Sequence, residues 1–104
     1  MRAVTEVTAA KKEQIALVRK YGADDDMQFA LAGAAYAEHA AIWADGAINL
    51  EVYRTAKPGQ SWPWKGTHWV PRDPRSDLVR AAALIIAQIE QLDRARHVGS
   101  VAGG

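Results

Sequence analysis

The sequence predicts an all-α protein, a three-helix bundle with a long Trp- and Pro-rich connection across it. Three observations lead there. Apolar residues recur at spacings of three and four in three separate segments, alanine is abundant in the middle one, and no long segment alternates apolar and polar residues. A chain of 104 residues fits one domain. Hydrophobic residues make up 49%, enough to build a core and too many for intrinsic disorder.

The first predicted helix covers about Thr5 to Tyr21. Val4, Val7, Ile15, Val18 and Tyr21 keep a loose helical period, Lys11, Lys12, Glu13, Arg19 and Lys20 cover the opposite face, and Gly22 suits a C-terminal cap. Asp24-Asp25-Asp26 then suits a helix start, because carboxylates accept the unpaired amide hydrogens and favour the positive dipole end. The second helix runs from Met27 to Asp45, with Gly46 as its stop. It has two apolar stripes: Met27, Leu31, Ala34, Ala41 and Ile42 on one, Phe29, Tyr36, Ala40 and Trp43 on the other. Ala30, Gly33, Ala34, Ala37 and Ala41 would let a partner helix approach closely.

Residues 47–55 admit two readings. Ile48, Leu50 and Val52 alternate with Asn49 and Glu51, the period of a strand that could form a short β-hairpin with His68-Trp69-Val70. A helical turn is the alternative. From Ala56 to Asp73 the prolines and glycines Pro58, Gly59, Pro63, Gly66 and Pro71 exclude a helix. A loop of that length is either packed down or functional. The third helix is the clearest: Asp73-Pro74 supplies an N-cap and a proline at the first helical position. Leu78, Ala82, Ile85, Ile89 and Leu92 then repeat at four and three, a stripe expected to face the core. The helix is expected to end near Arg96, with Gly99 closing it and residues 99–104 as a flexible tail.

Lys and Arg number 13 against 12 Asp and Glu, so no global field attracts nucleic acid or membrane, and any electrostatic function must come from local clustering. The absence of cysteine excludes a disulfide framework, a thiolate zinc site and thiol catalysis, and suits a reducing cytosol. Met27 to Trp43 is short for a membrane span, and no apolar segment at the N-terminus suggests a secretory signal. A cytoplasmic protein of a bacterial host cell is expected.

Between Trp62 and Arg94 the chain reads WPWKGTHWVPRDPRSDLVRAAALIIAQIEQLDR. This resembles a family of small, uncharacterised phage and prophage proteins with a Trp-Pro-Trp segment, a Trp-x-Pro step and a closing helix of the type DLVRAAALIxAEIERLDR. The Ala-rich LAGAAYAEHA, Leu31 to Ala40, is also similar to theirs. Together these segments span roughly half the chain. Family members open on a Glu-Arg-Gln-rich helix and a Glu-His-Asp-Asp cluster, where this chain has Lys12-Glu13-Gln14-Ile15 and an aspartate triplet without the histidine. The resemblance implies a small phage or prophage accessory protein without a stated activity. Combined with the lack of catalytic groups and the basic aromatic loop, it leads to the expectation of a role in binding, with interference in a host defence as one such role.

Two constellations could carry chemistry. In the loop, Trp62, Trp64, Lys65, His68, Trp69, Arg72 and Arg75 interleave flat aromatic faces with cations, as a nucleotide-like ligand or a nucleic-acid strand would require. The competing reading is that the tryptophans close the core and the arginines are solvated, and the high average burial of tryptophan favours it. Glu90 and Asp93, three residues apart on one helix, could hold Mg²⁺ against a triphosphate, as in all-α nucleotide pyrophosphohydrolases. That enzyme needs a second acidic pair, for which only Glu38 and Glu13 offer candidates, so a solvated helix edge is the simpler reading. The aspartate triplet with Glu38, His39 or Asp45 could hold a cation, but a cap explains it without one. No catalytic constellation and no resident cofactor is expected. The wide stripes suggest a homo-oligomer packing through the small-residue face, with a protein or nucleotide-like ligand as partner and no membrane.

Overall fold

The computed structural model describes residues 2–20, 27–43 and 49–103, and all regular structure among them is helical. Four α-helices follow in order: α1 (Arg2–Lys20), α2 (Gln28–Trp43), α3 (Leu50–Thr55) and α4 (Pro74–Gly103), with a 3₁₀ turn at Gly66–His68. The all-α class is as the periodicity indicated. No helix among the described residues is long and apolar enough to cross a membrane. Gly22, the aspartate triplet, Asp45 and Gly46 lie outside the described residues.

α4 is the central element, and α1 and α2 both pack against it. Its start follows from three residues. Asp73 accepts the Ser76 backbone N–H at 2.8 Å and the Ser76 hydroxyl at 2.8 Å. Pro74 contributes no N–H where none is needed, and the Asp77 N–H bonds the Asp73 carbonyl at 2.9 Å. The expected stop at Gly99 is corrected: α4 continues to Gly103. Glycine inside a helix costs only about 1 kcal/mol relative to alanine, and no proline follows to break the ladder.

The β-hairpin alternative is also corrected. Asn49, an outward-facing strand residue in that reading, is a helix cap instead, its side-chain oxygen accepting the N–H of Glu51 at 2.9 Å and of Val52 at 3.3 Å. Thus α3 is a short helix, which leaves through an extended Ala56. The other supposed strand carries the 3₁₀ turn, closed by His68 N–H to the Lys65 carbonyl at 2.9 Å.

α2 runs antiparallel to α4. The Ala30 N–H, one of the unpaired donors of the first turn, bonds Gln88 Oε1 at 3.0 Å, while Tyr36 lies opposite Arg80. Between them Gly33 meets α4 so closely that a Cβ there would lie 3.0 Å from the Ala81 carbonyl oxygen and 3.1 Å from Ile85 Cγ1. Small residues therefore do bring a helix close, and that helix is α4 of the same chain.

The largest departure concerns which side of α4 is buried. Its inner face carries Asp77, Arg80, Ala81, Ala83, Leu84, Ala87 and Gln88. The stripe expected in the core points outward: Leu78 is 50% exposed, Ile85 43%, Ile89 51% and Leu92 49%. The alanines and Leu84 admit two close neighbours, and the Asp77–Arg80 pair on the same side is held by its own hydrogen bonds. The molecule measures 55 × 33 × 21 Å, so its thinnest dimension is about two helix diameters. A layer that thin has nothing left to cover the second face of its longest helix.

Candidate functional site

The Trp-rich connection folds down onto α2. Tyr36 is its anchor: the ring stacks on Trp69 with centroids 4.8 Å apart, and Trp62 meets it edge-on at 5.4 Å. Trp62 also touches Trp69 at 5.0 Å and Trp64 at 5.2 Å, both edge-to-face. These are the geometries that aromatic quadrupoles favour. Each indole N–H is bonded inside the chain: Trp62 to the Lys65 carbonyl at 3.0 Å, Trp64 to Gln28 Oε1 at 3.1 Å, and Trp69 to the Ala56 carbonyl at 2.9 Å. Trp69 is buried, while Trp62, Trp64 and His68 are half-buried and Lys65 is exposed.

The two arginines of the candidate set turn elsewhere. Arg72 pairs with Glu13 at 3.7 Å and Arg75 with Glu6 at 2.7 Å, both on α1. The structure therefore groups Trp62, Trp64 and Trp69 around Tyr36 and sets Arg72 and Arg75 against the acidic side chains of α1. Glu90 pairs with Lys11 at 3.0 Å, and Asp93 is exposed beyond it. Glu13, one candidate for the second acidic pair, is taken by Arg72, and Glu38 is an exposed residue of α2. Among the described residues no group of three or more acidic or histidine side chains could hold a metal ion.

Beneath the aromatic cluster lies a buried polar network. Tyr53 of α3 donates its hydroxyl to Asp77 Oδ2 at 2.5 Å, and the Arg72 backbone N–H reaches both carboxylate oxygens of Asp77 at 3.2 Å. Arg80 Nη2 forms an ion pair with Asp77 and donates to the Val70 carbonyl at 2.6 Å. Its Nη1 donates to the Tyr36 hydroxyl at 3.0 Å, with the guanidinium carbon 4.2 Å from the centre of that ring. His39 Nε2 donates to the Tyr53 carbonyl at 2.9 Å. Burial, reinforced by the bond to Asp77, pushes the Tyr53 phenol far above its ordinary pKa, so it stays a donor. Sequence reasoning missed this network. Asp77 and Arg80 did carry a signal, an i, i+3 ion pair inside an otherwise apolar run, but nothing local linked them to Tyr53.

The remaining large feature is the uncovered apolar surface. Because α2 and α4 are antiparallel and touch along Gly33 and Ala81–Ile85, their outward rows flank the contact on the same side. Met27, Leu31 and Ile42 of α2 are 43%, 42% and 61% exposed, beside Leu78, Ile85, Ile89 and Leu92 of α4. Both helices thus leave aliphatic side chains uncovered beside their contact, with the exposed Glu38 between Leu31 and Ile42 on α2. No family model matches the chain, and no curated protein or solved structure shows a significant match to it.

Proposed function

We propose that this protein acts by binding, and that its working form is a homo-oligomer joined through the aliphatic face of α2 and α4. The exposed row Leu78, Ile85, Ile89 and Leu92 carries the reading. With Ala82, which is half-buried, this row has the four-three spacing with which helices interdigitate. A two-fold centred between residues 83 and 84 would set Leu78 of one copy against Ile89 of the second and Ala82 against Ile85, so most of the row is self-complementary. Counting Met27, Leu31, Ile42 and Ile86, eight large aliphatic side chains are each 40–61% exposed. Concentrations of this kind on a monomer generally mark interaction sites. The binding role agrees with the accessory character implied by the resemblance to phage and prophage proteins.

The test is sedimentation equilibrium on the wild type and on Ile89→Lys with Leu92→Lys. Both positions are about half exposed within one copy and lie beyond the Gly33 contact, so the doubly substituted chain keeps its helical circular dichroism. A wild-type dimer that becomes a folded monomer on substitution supports the proposal. A wild type that is monomeric at micromolar concentration overturns it, as does a substituted chain with unchanged mass.

A further inference from the structure

We propose that Arg75 and Asp93 of α4 select a second copy of this chain as the partner, by pairing with each other across the dimer, and so hold its two α4 helices antiparallel. Such pairing rests on the homo-oligomer of the aliphatic row, and adds to it an orientation and a basis for self-recognition.

Both residues flank that row on one side. At about 100° per residue, Arg75 and Asp93 each lie about 60° from the line through Leu78, Ile85 and Ile89. They share the flank nearest α1, where Arg75 bonds Glu6 at 2.7 Å, while the opposite flank carries Ala81, which meets Gly33 of α2. Asp93 is exposed, and none of the ion pairs among the described residues uses it. The Arg75 side chain is 53% exposed and spends Nη2 on Glu6. A guanidinium has further N–H donors, so a second carboxylate can bond beside the first and the Glu6 pair need not break.

A two-fold centred between residues 83 and 84 lies perpendicular to α4 and keeps the α1 flanks of both copies on one side of the contact. It sets Arg75 level with Leu92 of the second copy, about 1.5 Å along the axis from Asp93. Symmetry makes the pair twice, once at each end of the row. The apolar centre favours the same orientation: Ala82, the small residue of the row, meets Ile85 of the second copy, so small packs against large. In a parallel pair Ala82 would face Ala82 across a gap. Arg75 and Asp93 would then stand about 27 Å apart along the axis and could not pair. An apolar surface without this charge pattern gains neither bond, so the charges favour a second copy over other apolar partners.

The experiment is sedimentation equilibrium at low salt on the wild type, Arg75→Glu, Asp93→Arg and the chain carrying both. Each single substitution sets like charges against each other twice per dimer and should weaken dimerisation by about tenfold. The two together exchange the partners and should restore the wild-type dissociation constant to within about threefold. High salt should shrink the losses of the single variants. A glutamate in the first turn of α4 suits the helix dipole, and residue 93 is exposed, so each variant keeps its helical circular dichroism. The chain has no cysteine, so Arg94→Cys takes a unique spin label. Labels roughly 30 Å apart along α4 mark the antiparallel pair, and labels at the same level mark the parallel one. Single variants that dimerise like the wild type overturn the inference and leave the oligomer standing. A double variant as weak as the singles, or labels at the same level, does the same. A wild type that stays monomeric removes the oligomer itself, and the inference with it.

Discussion

Tyr53 and Asp77 are both completely buried and are joined by a 2.5 Å hydrogen bond from phenol to carboxylate, which fastens the short α3 to the first turns of α4. Asp77 also neutralises Arg80, so one carboxylate serves two helices and a buried cation. Replacing Asp77 by Asn should destabilise the fold by roughly 3–5 kcal/mol, because it leaves the Arg80 charge buried without its partner. Tyr53→Phe removes one hydrogen bond and leaves the ion pair standing, so it should cost about 1–3 kcal/mol. Urea unfolding of the two variants decides the order; a larger loss for Tyr53→Phe would mean that the ion pair is not the keystone of the network.

The Gly33 contact sets a second expectation. Alanine is the better helix former by about 1 kcal/mol, yet its Cβ would sit 3.0 Å from the backbone oxygen of Ala81, which cannot rotate away. Overpacking costs of roughly 1–3 kcal/mol outweigh that gain, so Gly33→Ala should lower the melting temperature. At Gly66 an added Cβ meets nothing within 4 Å, and Gly66→Ala should change stability by no more than about 0.5 kcal/mol.

The tryptophans separate a lid from an exposed recognition surface. Trp69 is buried and stacked on Tyr36, and truncating it to alanine should cost about 3–5 kcal/mol. Trp43 is 38% exposed at the end of α2, and Trp43→Ala should cost much less. Acrylamide quenching gives the same comparison in the intact protein: the fluorescence lost in Trp69→Ala should be the quencher-resistant part. If Trp69→Ala is as stable as the wild type, the loop is not closing the core.

Asp73 ties stability to pH. The Ser76 backbone N–H, above all, holds its carboxyl below the usual aspartate range, with the Ser76 hydroxyl and nearby Arg54 acting in the same direction. A depressed folded-state pKa means that the cap stabilises fully above the unfolded value of about 3.9 and is lost as pH falls through the lower folded value. Asp73→Ala should therefore cost about 1 kcal/mol at neutral pH, with the gap from wild type closing in acid. Denaturant midpoints of both proteins across the acid range check it; a gap that does not narrow would show that the carboxylate charge plays no part.

Much of the architecture was legible in short stretches. Asp73-Pro74 marked the start of α4, and the Pro and Gly spacing from residue 58 to 71 marked the loop, because both are steric and hydrogen-bonding effects of neighbouring residues. Asn49 was harder: the same short stretch satisfies strand alternation and a capped turn of helix, and the choice falls to the burial of Tyr53 against Asp77. The candidate site divided in the same way. The tryptophans were visible as a group, but whether they faced solvent depended on Tyr36, which lies on another helix.

The sequence by itself determined that this protein is helical, where its longest helix begins, and which residues of that helix share a side. Periodicity places Leu78, Ile85, Ile89 and Leu92 in one row because 3.6 residues make a turn. Only the tertiary structure decided that this row faces outward, while Asp77, Arg80, Ala81 and Leu84 face in. The physical reason is that an apolar row needs cover without specifying which surface covers it. Here the alanine side of α4 accepts α1 and α2 closely enough to house the buried Asp77–Arg80 ion pair, and the aliphatic side is left uncovered within the single chain.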